Sequence, residues 1–256
     1  MQQPHPPAPL VFHRSEAAYA FCAVLFCVVL VLTNIIGTKL FVLFAEGGPR
    51  FLFEGAPWTL TSGIITYPIT FLLTDLVSEI WGRRRADYMV WMGFAMSILM
   101  LALLQMAIHL PPAPFWTAPD MGFETAEGMQ TAFHATFKNP AILLFASMLA
   151  YLVAQLFDVR LYHFWWKLTG GKHMWLRNNG STMISQLVDT AIVNGIFLHF
   201  GLHMEPAVIW QVIVAVYLCK LLLALIDTPL IYLLVAWTEK FLGIDPNRDR
   251  SKAPLA

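Results

Sequence analysis

Stretches of about twenty mostly apolar residues recur along this chain, near 17–38, 63–82, 86–110, 140–162, 181–202 and 207–238. About twenty residues of α-helix span the roughly 30 Å hydrocarbon core of a bilayer. Only helices or closed barrels satisfy their own backbone there. The pattern predicts an all-α, polytopic membrane protein whose six transmembrane helices form one bundle over 17–240. A leader at 1–16 and a tail at 241–256 flank it. The last run is longer than a bilayer requires, so it is expected to tilt or project. Of the 256 residues, 58% are hydrophobic and 12% charged, against globular norms near 45–50% and about 25%. With a mean hydropathy of +0.62, no room is left for a sizeable soluble domain.

Loop charge sets the expected orientation. With the N-terminus inside, the inner segments hold Arg14, Arg83 to Arg85, Arg160, Lys167, Lys172, Arg177, Lys240, Arg248, Arg250 and Lys252, whereas the outer segments hold Lys39, Arg50 and Lys138. Twelve against three places both termini in the cytoplasm. The tryptophans fall near the ends of the runs, as an interfacial belt would. Pro4, Pro6, Pro7 and Pro9 with no basic region before an apolar one indicate an uncleaved, disordered leader rather than a signal peptide. Sixteen basic residues balance sixteen acidic ones, which argues against a nucleic-acid partner. Cys22, Cys27 and Cys219 lie in apolar runs without metal-type spacing and read as packing residues. No Walker A loop, His-Glu-x-x-His or Gly-x-Ser-x-Gly motif occurs, and the histidines do not cluster. No catalytic residue, metal or cofactor is therefore expected.

Function is written in the polar residues that interrupt the runs. Gln186-Leu187-Val188-Asp189 and Gln155-Leu156-Phe157-Asp158 nearly repeat each other in two different spans. Residues three apart on a helix lie about 60° round the axis, so each Gln–Asp pair shares a face. A carboxylate at the centre of a membrane helix costs about 2.5–3.5 kcal/mol on insertion scales, which internal partners or a ligand must offset. Asp75 lies about 10 Å in from the inner boundary of the second span and Asp189 about 12 Å in along the fifth, so the two share one level. Lys220, mid-span in the sixth run, is too deep to snorkel and needs a counter-charge from Asp75, Asp189 or Asp227. These groups suit either interhelical glue or a polar pocket. Asn34 and Asn194 stand between the same alternatives. Glu79 is spaced to pair with Arg83 at the interface, and Asp158 with Arg160 is interfacial.

Several local features add expectations. Pro68 should kink the second span and free a carbonyl to line a cavity. Arg177-Asn178-Asn179-Gly180-Ser181-Thr182 reads as an inner loop ending in an N-cap for the fifth span. The Gly- and Pro-rich loop between the first two spans suits a short surface hairpin, and a longer acidic loop runs from Pro111 to Asn139.

Taken in order, the motifs Thr33-Asn34-Ile35-Ile36-Gly37-Thr38-Lys39, Tyr67-Pro68-Ile69-Thr70 through Thr74-Asp75, Gln155 to Val159, Leu168 to Thr182, Gln186 to Thr190, Lys220 and Asp227-Thr228-Pro229 resemble the bacterial queuosine precursor transporter family, within the vitamin-uptake-like membrane transporters. The resemblance covers roughly 17–240 and omits leader and tail. It implies import of a small-molecule 7-deazapurine across a bacterial inner membrane for tRNA modification. The candidates are 7-cyano-7-deazaguanine, 7-aminomethyl-7-deazaguanine and the base queuine. It implies membrane lipid as surroundings and leaves a homo-oligomer open. The segment Ser78-Glu79-Ile80-Trp81-Gly82 departs from the family pattern in its polar pair, which leaves the preferred 7-substituent open.

The residue chemistry suits that class. A guanine edge offers an N1–H and an amine side by side, which a carboxylate accepts together. A glutamine amide or an ammonium donates to the neighbouring carbonyl. Asp75, Gln155, Gln186, Asp189 and Lys220, with Asn34 and Tyr67, are thus the candidate substrate-binding residues. Tyr67, Phe71 or Tyr151 would stack on the ring. Two other functions compete: a membrane substrate-binding subunit of an ATP-driven vitamin importer, and an intramembrane enzyme using Asp75 and Asp189 as an acid pair.

Overall fold

In the computed structural model of the protein, residues 14–44, 57–169 and 174–244 are described. The chain is mostly helical. Its α-helices are α1 (Arg14–Ile36), α2 (Tyr67–Trp81), α3 (Arg83–Ile108), α4 (Ala126–Lys138), α5 (Pro140–Thr169), α6 (Met174–Ile196) and α7 (Pro206–Leu242). Each expected span carries one helix. Among the described residues, four helices are long and apolar enough to cross a membrane: Arg14–Ile36, Arg84–Ile108, Met183–Gly201 and Pro206–Leu242. Helix α2, with 15 residues, rises only about 22 Å, short of a full crossing. Helix α7, with 37 residues, is longer than a bilayer requires, as its apolar run predicts.

The outside of the bundle is apolar, as lipid demands. On α1 the exposed Phe21, Val24, Val28 and Leu32 recur every three to four residues, while Cys22, Phe26 and Val29 turn inward. Lipid is as apolar as a protein core, so hydrophobicity alone does not bring such helices together. Close packing and interhelical hydrogen bonds do. At Gly93 on α3 a Cβ would lie 2.7 Å from Phe26 Cε1 and 2.8 Å from Leu30 Cδ2, so only glycine admits α1 this closely. Near the same seam Asn34 Nδ2 donates to Ser97 Oγ at 3.2 Å. Glu16 receives both guanidinium nitrogens of Arg85, at 2.9 and 3.1 Å, and ties the first turns of α1 and α3.

Two apolar cores sit at opposite ends. One joins the start of α1, the end of α2, the start of α3 and the end of α7 through Cys22, Phe26, Leu76, Val77, Ile80, Met89 and Val235. The other joins the start of α5, the segment after α6 and the start of α7 through Trp58, Leu60, Ile64, Leu143, Phe197, Leu198 and Val212. The described N- and C-terminal ends therefore share one end of the molecule.

Four expectations need correction. Pro68 occupies the first turn of α2 rather than its middle. A 3-10 turn, Ser62–Ile65, precedes it. A proline there lacks an N–H that had no intrahelical partner, so no kink follows. The stretch 177–182 is helical, inside α6, and not a capped loop. Asparagine, serine and even glycine disfavour helix by at most about 1 kcal/mol each, and the long packing of α6 on α5 outweighs that. The acidic loop contains α4, whose N-cap Thr125 accepts the Gly128 amide at 3.1 Å. The leader ends earlier than expected, because α1 begins at Arg14.

The hairpin is present as strands β1 (Leu40–Val42) and β2 (Thr59–Thr61), antiparallel, with Phe41 opposite Leu60. Its strands flank the Gly-Pro-rich segment. Ser62 Oγ hands its hydrogen to Ile36 O and fastens the hairpin to the end of α1. Gly82, at φ +90°, reverses the chain between α2 and α3, a conformation that costs a side-chain-bearing residue dearly. The leader over 1–13 and the tail beyond 244 lie outside the described residues. So do the side chains of Gln155, Asp158 and Arg83, and with Arg83 its expected pairing to Glu79.

Candidate functional site

Between the two cores lies a cavity of about 530 Å³, within the range of roughly 300–1,000 Å³ usual for small-molecule sites. Every expected span contributes to its wall. From α2 come Tyr67, Thr70, Phe71, Thr74, Asp75 and Ser78, at the spacing of a single helix face. From α6 come Gln186, Asp189, Val193 and Asn194, and from α7 Val216 and Lys220.

A polar cluster ties three helices together in this wall. Lys220 Nζ donates to Asp189 Oδ2 at 2.9 Å, with the lysine and aspartate side chains 11% and 24% exposed. Of the three acids that the sequence offers as counter-charge, the ammonium takes Asp189. It also lies 4.7 Å from the centre of the Tyr67 ring, a cation–π contact. Tyr67 Oη donates to Gln186 Oε1 at 2.9 Å, which leaves the Gln186 amide nitrogen as a donor. The rings of Tyr67 and Phe71 lie 4.2 Å apart, inclined by 36°. Across the cavity Phe94 meets Tyr151 edge-on, with centroids 5.4 Å apart. The site thus combines aromatic faces, an amide donor and an ammonium whose charge is balanced by a carboxylate.

Asp75 differs from Asp189. It is exposed into the cavity near the α2–α3 turn, with Ser78 and Asp87 also in the wall. Among the described residues it has neither a hydrogen bond nor an ion pair, so both of its oxygens stay open to an incoming donor pair. Asp75 and Asp189 do not bond each other among the described residues, and the partner of Asp189 is Lys220. Asn34 reaches the wall, but its Nδ2 is spent on Leu30 O at 3.1 Å and on Ser97 Oγ. No group of three His, Cys, Asp or Glu able to hold a metal occurs among the described residues.

Residues 61–234, from β2 to the last turns of α7, match the family described as "Putative vitamin uptake transporter". The chain belongs to this family. A similar relative is the "Probable queuosine precursor transporter" of Bacillus subtilis (strain 168), 30% identical over 176 residues that cover 68% of this chain and 71% of the relative. No solved structure gives a significant match. Both the family and the relative are transporters, so this member of the vitamin uptake family is a membrane transport protein and not an enzyme. The matched span takes in Tyr67, Asp75, Gln186, Asp189 and Lys220 and stops short of α1 with Asn34.

Sequence reasoning brought Tyr67, Asp75, Gln186, Asp189, Lys220 and Asn34 forward, and all six lie on one cavity. It passed over Thr70, Thr74 and Ser78, although they recur every four residues along α2 with Asp75 beside Thr74, a polar stripe readable without coordinates. The Tyr67–Gln186 bond had no signal, because the partners are 119 residues apart.

Proposed function

We propose that this chain imports 7-deazaguanine precursors of queuosine through the inner membrane of a bacterium, for salvage into tRNA. The observation that carries the reading is the Tyr67–Gln186 and Lys220–Asp189 cluster standing in one cavity with the open carboxylate of Asp75. A 7-deazaguanine presents a flat ring, a carbonyl and an adjacent pair of N–H donors. Tyr67 and Phe71 supply faces for the ring. Lys220 or the Gln186 amide donates to the carbonyl. Asp75, with both oxygens available, accepts the donor pair in a bidentate manner, whereas Asp189 already spends one oxygen on Lys220. The name of the Bacillus relative points to the same class of cargo.

The bundle works in this reading as six spans with both termini cytoplasmic, the basic end facing the cell interior. The test is restoration of queuosine in the tRNA of cells that lack both precursor synthesis and their own importer, supplied with nanomolar 7-cyano- or 7-aminomethyl-7-deazaguanine. Restored queuosine supports the reading, and unmodified tRNA at normal membrane expression refutes it.

A further inference from the structure

The cavity has one open end and one shut end. Asp75, Ser78 and Asp87, where α2 passes into α3, are exposed, and this is the end that carries the described termini. At the far end Gly37, Ile64 and Leu143 are buried. There the first turn of α5 closes on the end of α1. A Cβ at Gly37 would lie 3.0 Å from Leu143 Cδ2, so the leucine methyl rests directly on the glycine backbone. The glycine side is fixed. Thr33 Oγ1 and Thr66 Oγ1 share a hydrogen bond of 2.6 Å, and the Ser62 amide donates to Lys39 O at 2.8 Å, so the end of α1, the hairpin and the 3-10 turn form one tied unit. Helix α5 belongs to a different unit: it packs along α6 and touches α1 and α3 only lightly.

We infer that Leu143 seated on Gly37 is the gate at the end of the cavity away from the termini, and that α5 and α6 swing together off α1 to open it. The inference goes beyond the proposed cargo and needs only that the chain is a transporter. A carrier must expose its site to each side of the membrane in turn, and the structure exposes it to one. The seam that must part is the one between the two units. A methyl on a glycine backbone suits that seam, because it separates without leaving a buried donor or acceptor unpaired. Ser147 and Tyr151 follow Leu143 at four-residue steps on the cavity face of α5, so parting at Leu143 opens the cavity along a wall that already lines it. About 12 Å further in along α5, Tyr151 meets Phe94 of α3 edge-on. That contact is the pivot: as the far end parts, the end with Asp75 closes.

The test places spin labels on the full-length chain in lipid nanodiscs, with its three cysteines replaced by alanine, and reads distances by double electron–electron resonance. One pair, Leu32→Cys with Phe145→Cys, spans the gate from exposed positions on α1 and α5. The other, Tyr88→Cys with Phe164→Cys, spans the open end from exposed positions on α3 and α5. Each pair should show a major and a minor distance. Leu143→Ala should raise the longer gate distance about tenfold in population, since a buried leucine is lost from the shut state alone, while the pair at the other end shortens in step. A longer gate distance with the other pair unchanged would make Leu143 a packing residue and overturn the inference. So would populations that Leu143→Ala leaves unmoved. If that variant does not fold, the gate pair with Leu143 in place decides: two distances support the gate, and a single fixed one refutes it. No cargo enters these measurements, so failure to bind 7-cyano-7-deazaguanine would count against the proposed function and leave the gate standing.

Discussion

Lys220→Met, alone and combined with Asp189→Asn, separates what the ion pair does for the fold from what it does for transport. At 2.9 Å two unit charges attract by about 6 kcal/mol at an effective dielectric near 20. Both side chains are mostly withdrawn from water, so desolvation offsets much of that attraction. The single variant removes the cation and leaves the Asp189 carboxylate in a mostly buried wall, a loss of about 3–5 kcal/mol when one partner of a buried pair goes. It also removes the contact with the Tyr67 ring, about 0.5–2 kcal/mol more. The double variant places a neutral amide beside a thioether and relieves the uncompensated charge. Thermal unfolding of the purified protein should therefore show a large drop for Lys220→Met and recovery of most of it in the double variant. Uptake of a 7-deazaguanine into proteoliposomes should fall in both, because neither retains the ammonium that stands with the Gln186 amide as a donor to the base carbonyl. A double variant that transports like the wild type would reduce the pair to a structural clamp. A single variant as stable as the wild type would refute the energetic reasoning.

Three further outcomes are expected. Tyr67→Phe deletes the hydroxyl bonded to Gln186 but keeps the ring beneath Lys220, so affinity should fall only about three- to tenfold, the worth of one neutral hydrogen bond near 1 kcal/mol; in a binding titration, Tyr67→Leu should do worse, and equal effects of the two would count against ring stacking. A reporter active only in the periplasm, fused after Leu255, should stay silent given the twelve-to-three bias in basic residues; activity there would reverse the orientation or change the span count. Gly93→Ala brings a Cβ within 3 Å of Phe26 and Leu30 and should lower stability by about 1–3 kcal/mol through overpacking, seen as a lower melting temperature with substrate affinity retained; an unchanged melting temperature would mean that α1 and α3 have slack there.

The sequence by itself determined the class of the molecule and the chemistry it encloses. Twenty-residue apolar runs permit little besides membrane helices, since each unsatisfied backbone group in lipid costs several kcal/mol. Charged groups within those runs are so unfavourable against lipid that Asp75, Asp189 and Lys220 could be assigned to the interior from composition and period alone. Local signals had less authority. The Asn-Asn-Gly-Ser stretch carries turn residues, yet it is helical, because propensities of at most about 1 kcal/mol yield to packing along α5. Pro68 was visible as a proline but not as a first-turn proline, since its effect depends on where the helix begins.

Only the tertiary structure decided which polar groups are spent and which are open. Lys220 had three candidate acids, and the crossing of α6 and α7 selects Asp189. Asn34 and Asn194 read alike in sequence. Their difference lies in their neighbours: α3 brings Ser97 to one amide, while the other turns back to Thr190 O of its own helix. A hydrogen bond reaches about 3 Å, and residues 63 or 119 positions apart come that close only through the packing of whole helices.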